Sequence, residues 1–300
     1  MDNGKRLLVV LVCLASASVR AEDAFPTDLR LSVNASELDD AGEPEERRWY
    51  WLQYHIEDSP KKYLEWVWKD PINLITRPVF WGGDQWRTFA IDTAIVGVLF
   101  PLDDPVRDVV QDNRSQTAIS ILNPIRNYYT GQKLELYGVG LWATGLIFKN
   151  EKLADSGFLA AESVFYSIHL SGLIKSISKR ERPSSAEDQF EFNGPGGSTR
   201  GNSSSFVSGD VIAAYAFASS VSEVWHNPWV TWPAYGLAGA VFAHRLEHNA
   251  HWLTDCVAAA FLGHAVGKSL VRFHYHRDVE GTVVPYVTDN SVGVQVALHF

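Results

Sequence analysis

The sequence predicts an all-α protein, a bundle of about six main helices with a small β-hairpin at its carboxyl end. Apolar stretches of helical length recur at 88–100, 133–148, 157–178, 206–224, 230–243 and 253–272. Gly, Pro, Asn and Asp punctuate the gaps between them, as they do between helices. No internal repeat divides the chain, so the stretches read as one bundle. Only the tail changes period. Val292, Val294, Val296, Leu298 and Phe300 alternate with smaller or polar residues, and Val283 to Val287 is placed to pair with them across Thr288-Asp289-Asn290.

Taken from the amino terminus, the first element is an address. Lys5 and Arg6 precede the apolar run Leu7 to Leu14, and small residues lead to Ala21, the order of a secretory signal over residues 1–21. The run is too short to span a bilayer. This predicts a secreted protein, periplasmic or extracellular. Residues 22–48 follow as an acidic, solvated leader, with nine acids against Arg30 between 22 and 46. The helical domain is expected over 49–280 and the hairpin over 281–300. Between Trp49 and Trp86 six tryptophans crowd together and predict an aromatic collar packed on that domain.

Composition narrows the class further. The 300 residues are 46% hydrophobic, with 26 basic and 35 acidic side chains and a net charge of −9. Removing residues 1–21 leaves 23 basic against 34 acidic, or −11. Such a chain repels phosphate backbones, which excludes a nucleic-acid binder that relies on charge. Most apolar stretches carry a charge or fall short of a span, and Pro228 and Pro233 interrupt the charge-free run Val224 to Ala243. Buried core helices are expected, with peripheral membrane contact left open. Loss of Cys13 with the signal leaves Cys256 as a lone thiol, read as a small core residue.

Three segments between 175 and 255 carry chemistry. Lys175, Arg182 and Pro183 mark a basic helix end that runs into a Pro-stopped loop. Ser208-Gly209-Asp210 opens an apolar helix, where free backbone N–H groups can meet an anion. Arg245, His251 and Asp255 place a carboxylate four residues after a histidine, able to fix its tautomer. Together they supply cations, a helix-start anion site and an oriented imidazole, the parts needed for phosphoryl transfer through a phosphohistidine.

The pattern Lys175-x6-Arg182-Pro183, Ser208-Gly209, Arg245-x5-His251-x3-Asp255 resembles the three-part signature of the type 2 phosphatidic acid phosphatase (PAP2) and vanadium haloperoxidase superfamily. Residues 85–275 carry the resemblance, and the surrounding text is similar to bacterial secreted members. It implies that Lys175, Arg182 and Arg245 hold phosphate oxygens with the Ser208 hydroxyl and the Gly209 amide. It implies that His251 attacks phosphorus and that Asp255 orients it, with no metal and no cofactor. In haloperoxidase relatives the position of His251 ligates vanadate.

One departure stands out. The family's second segment reads Pro-Ser-Gly-His, and its histidine protonates the leaving group; here Val207-Ser208-Gly209-Asp210 stands in its place. Several readings follow: Asp210 serves as acid at low pH, His244 or His248 substitutes, a good leaving group needs no acid, or the chain is a lapsed phosphate binder. The expected partners are a phosphorylated small molecule or lipid, with substrate choice assigned to loops at 101–132 and 184–205. A second pattern, His244-x-x-Glu247-His248, spells a zinc-protease motif but lacks a suitable downstream ligand.

Overall fold

The computed structural model describes residues 59–197, 204–275, 280–288 and 291–299, so the expected signal and acidic leader lie outside the described residues. The fold is all-α. Its helices are α1 (Ser59–Thr76), α2 (Gly83–Leu99), α3 (Asp103–Asp112), α4 (Gln116–Tyr128), α5 (Gly131–Ile147), α6 (Glu151–Ser178), α7 (Gly209–Trp225), α8 (Pro228–Glu247) and α9 (Leu253–Tyr275). Each of the six anticipated helices is present, with ends moved by up to six residues. The tail forms β1 (Glu280–Thr288) and β2 (Ser291–His299), antiparallel with Val283 opposite Val296.

Helix α7 occupies the centre because it is apolar on every side. Val211, Ile212, Ala213, Tyr215, Ala216 and Ala218 are all buried, and each fully buried Val or Ile contributes about 1.5–3 kcal/mol. It packs between α6 and α9, with α8 against a third side. Gly263 and Gly267 face α7 one turn apart, where a Cβ would collide with the Ile212 carbonyl and the Ser219 hydroxyl. Small residues here let α9 approach closely enough to carry its amino end to the start of α7.

Local signals set the helix ends. The Asn150 side chain accepts from Leu153 N at 3.0 Å to start α6, and Asn227 accepts from Trp229 N at 2.9 Å to start α8. Helix α1 is tethered to α6 by Lys62, whose Nζ lies 2.8 Å from both Glu151 and Asp155. Deeper along the same contact, Asp70 of α1, Glu162 of α6 and His274 of α9 meet out of solvent. Burial, with the neighbouring Asp70 charge second, pushes the Glu162 carboxyl up to about 9.

Two expectations need correction. Residues 101–132 are not a loop but hold α3 and α4, short helices joined by tight turns. Helices α1 and α4 each enclose a proline, Pro71 and Pro124. The tryptophan-rich stretch is not one collar either. Trp66 is buried against Tyr63, Phe158 and His274, whereas Trp68 and Trp86 are exposed.

Helices α6 and α9 are long and apolar enough to cross a membrane by length and composition, and just under half of each apolar stretch is buried within the protein. Helix α2 buries none of its residues and exposes Trp86, Phe89, Ile91, Ile95 and Val98.

Candidate active site

The three segments singled out in the sequence meet at the start of α7. Lys175 sits in the last turn of α6, three residues before its end. Lys179 then adopts a left-handed conformation and turns the chain out of the helix. The loop folds back on itself, pairing Glu181 N with Glu191 O and bridging Arg180 to Phe192. Ser205 N then donates to Arg180 O, which returns the chain to the start of α7. There Ser208 N donates to the Asp255 carbonyl at 3.2 Å, joining α7 to the first turn of α9. Gly209 matters sterically, because a Cβ at this position would lie 3.2 Å from Lys175 Nζ. A bare Cα lets the ammonium lie against the helix start.

Lys175, Arg182 and Arg245 form a cationic group. Burial lowers the Lys175 ammonium from its ordinary value, and the charges of Arg182 and Arg245 lower it further against the opposing pull of Asp210 and Asp255. Burial and Arg245 act the same way on Arg182. Arg182 Nε and Arg245 Nε are buried without a hydrogen-bond partner among the described residues. Buried guanidinium N–H groups in that state are matched by an acceptor such as a phosphate oxygen.

His251 is 5% exposed, and its Nδ1 lies 2.8 Å from the carbonyl oxygen of Ser205. A carbonyl only accepts, so Nδ1 carries the proton and Nε2 keeps its lone pair. Asp255 Oδ2 is farther from Nδ1, at 3.6 Å. Its influence on the ring is mainly electrostatic, while the Ser205 carbonyl fixes the tautomer. Burial lowers the His251 pKa from 6.5, Asp255 opposes this, and Arg182 and Lys175 reinforce it.

Asp255 is held by more partners than the sequence reveals. Its Oδ2 accepts from the Ser205 hydroxyl and, at 2.9 Å, from Trp252 N; its Oδ1 accepts from Arg180 Nη1 at 2.7 Å. Burial alone would raise this carboxyl. The His251 contact, the Arg180 charge and the Ser205 bond outweigh it and hold the group below its ordinary range. Arg180 is wholly buried and forks onward to Asp103 at 2.6 Å and Thr254 at 2.8 Å. Phe100 and Phe192 cover its guanidinium at 4.8 and 5.0 Å. Asp103 in turn accepts from Thr254 N at 2.8 Å. Arg180, Asp103, Ser205 and Thr254 were not among the expected site residues. The one hint in sequence was a second arginine beside Arg182.

Asp210 lies on the first turn of α7 with both oxygens engaged. Oδ2 pairs with Arg245 Nη1 at 2.9 Å, and Oδ1 accepts from Gly131 N at 3.2 Å. Of the histidines named as substitutes, His244 is fully buried and His248 stacks on it with ring centres 5.3 Å apart. The Glu247 carboxylate between them is engaged by Arg114 at 2.8 Å.

Comparison with known families gives one match, to the PAP2 superfamily, over residues 157–278. Those residues form a PAP2 superfamily domain. The segment takes in α6 from its second turn, the loop of Arg180 and Arg182, α7, α8 and α9, and thus every residue of the three-part pattern. No curated protein and no solved structure matches the chain. The match of residues 157–278 to the PAP2 superfamily suggests phosphatase-type activity in general terms.

Proposed function

We propose that this protein is a phosphatase that hydrolyses phosphomonoesters or lipid (pyro)phosphates through a phosphohistidine, without a metal at the reacting centre. The observation that carries this reading is the tautomer of His251. With Nδ1 donating to the Ser205 carbonyl, Nε2 is the free nucleophile, and the three cations lie around the same helix start. Lys175, Arg182 and Arg245 bind the phosphoryl oxygens, joined by Ser208 and the Gly209 N–H, and stabilise charge that grows on them in the transition state. Nε2 forms a bond to phosphorus as the bond to the leaving oxygen breaks. Water then attacks phosphorus, the P–N bond breaks, and inorganic phosphate leaves. Exposed apolar residues on α2 and at the start of α8, Trp229 and Trp232 among them, support peripheral contact with a lipid surface.

Leaving-group preference tests the role of Asp210. With both its oxygens accepting, Asp210 braces Arg245 and has no proton in place to donate. The favoured substrates are therefore those that need no acid, such as p-nitrophenyl phosphate or a diphosphate. Asp210→Asn should stay within about threefold of wild type on these. Asp210→His should gain on alkyl phosphomonoesters, where general acid catalysis is worth on the order of 10²–10⁴. A loss of about 10²-fold in Asp210→Asn confined to alkyl phosphomonoesters would instead make Asp210 the acid. Bromide oxidation by peroxide after vanadate loading, in place of vanadate inhibition, would favour a haloperoxidase.

The depressed pKa of His251 sets the pH response. The nucleophile must be unprotonated, so activity is lost as pH falls through its folded pKa. The acid limb of kcat/KM, which reports the free enzyme, should lie below 6.5. Asp255→Asn should move it lower still, since the carboxylate opposes the shift. A limb at or above 6.5 would contradict this assignment. Stability follows the same sign: the unfolded chain binds the proton first, so His251's contribution is present above 6.5 and declines as pH falls towards the folded value.

A further inference from the structure

Asp70, Glu162 and His274 come from three helices, α1, α6 and α9, and are buried together. One ligand atom from each lies within 4.8 Å of the others. His274 Nε2 is 2.7 Å from Asp70 Oδ2, and Tyr166 donates to Glu162 Oε1 at 3.2 Å. The remaining oxygens, Asp70 Oδ1 and Glu162 Oε2, are buried with no hydrogen-bond partner among the described residues. Asp70 is wholly out of solvent and Glu162 is 8% exposed. Buried carboxylate oxygens are costly unless a positive species neutralises them.

We propose that Asp70, Glu162 and His274 bind one divalent transition-metal cation of the zinc or manganese class. An imidazole nitrogen with two carboxyl groups is a donor set these ions accept once the carboxyl protons have left. Ligand bonds of about 2.0–2.2 Å require the 4.8 Å cluster to close on the ion and the 2.7 Å contact between His274 and Asp70 to open around it. Trp66 stacks on the His274 ring at 3.9 Å and holds its plane. An entry route exists, because Glu162 lines a cavity of about 240 Å³ with Glu135, Tyr166 and Phe165. The acidic Glu135 on its wall attracts cations towards Glu162.

The site is separate from the phosphate pocket. Glu162 precedes Lys175 by 13 residues on α6, roughly 20 Å along the axis, and His274 follows Asp255 by 19 residues on α9, roughly 28 Å. Its role is structural. The ion would clamp α1, which lies outside the matched PAP2 segment, onto two helices that also carry site residues.

Metal uptake by the full chain provides the test. The protein is stripped with a chelator, exchanged into ZnCl2 or, separately, MnCl2, and desalted, and retained metal is measured by mass spectrometry. Wild type should retain one equivalent more than Glu162→Gln, which has the shape of the protonated acid and keeps the fold. Zinc should raise the melting temperature of wild type and leave that of Glu162→Gln unmoved, with affinity at least tenfold weaker in the variant. Asp70→Asn provides a second, independent reading. Equal retention by wild type and both variants would overturn the proposal and leave a proton on Glu162 as the neutralising species.

Discussion

Replacing His251 by alanine should remove turnover by on the order of 10⁴-fold or more, the scale seen when a nucleophile is deleted. The reason lies in how narrowly the ring is set. The Ser205 carbonyl fixes the proton on Nδ1, so Nε2 alone is available to phosphorus. Asp255, held below its ordinary range by His251, Arg180 and Ser205, stays charged as the ring becomes cationic on phosphorylation. The measurement is labelling with a ³²P substrate, quenched with denaturant at alkaline pH. Wild type should carry label that is stable to base and released by acid, as a phosphoramidate is, and His251→Ala should carry none. His251→Asn guards against loss of folding, since it retains a polar group near the Ser205 carbonyl. Label surviving in both variants would place the nucleophile elsewhere. A full cationic pocket that releases no phosphate from any substrate would mark a binding protein.

The largest effect on stability should come from Arg180. Removing one partner of a buried ion pair leaves an uncompensated charge and typically costs 3–5 kcal/mol. Here a single guanidinium serves two buried carboxylates, Asp103 at 2.6 Å and Asp255 at 2.7 Å. Arg180→Met should therefore lower the melting temperature by roughly 6–20 °C for a domain of this size. Arg180→Lys should recover little, because an ammonium cannot fork to both carboxylates and Thr254 at once. Phosphate release should fall with it, since Asp255 loses the charge that orients it. Scanning calorimetry of the two variants checks the claim, and a melting temperature within 2 °C of wild type for Arg180→Met would refute it.

These two residues also show what a sequence can reveal. Lys175, Arg182, Arg245, His251 and Asp255 were legible because each lies near a helix end, where spacing along the chain translates directly into position. Arg180 was not. Its role depends on Asp103, 77 residues earlier, and on a loop that folds back through Glu191 and Phe192. Helices α5 to α9 could be read because long apolar runs stop at Gly, Asn or Pro. Helices α1 and α4 were hidden by Pro71 and Pro124, and α3 by its brevity, although Asp103 and Asp104 are typical of a helix's first turn. Tertiary packing retained those helices where the local pattern suggested a break. The Asp70–Glu162–His274 cluster had no sequence signal, because its members are 92 and 112 residues apart.

The bond from Gly131 N to Asp210 and the pair between Arg180 and Asp103 both reach outside the segment that matches the PAP2 superfamily. Residue 157 is thus an edge of recognisable text rather than an edge of the folding unit. A chain trimmed to that boundary would retain every residue of the three-part pattern, yet the carboxylate that shares Arg180 with Asp255 would be gone. The two regions form one unit in physical terms: Asp103 and Asp255 share one buried guanidinium, so loss of either carboxylate leaves that charge half-paired.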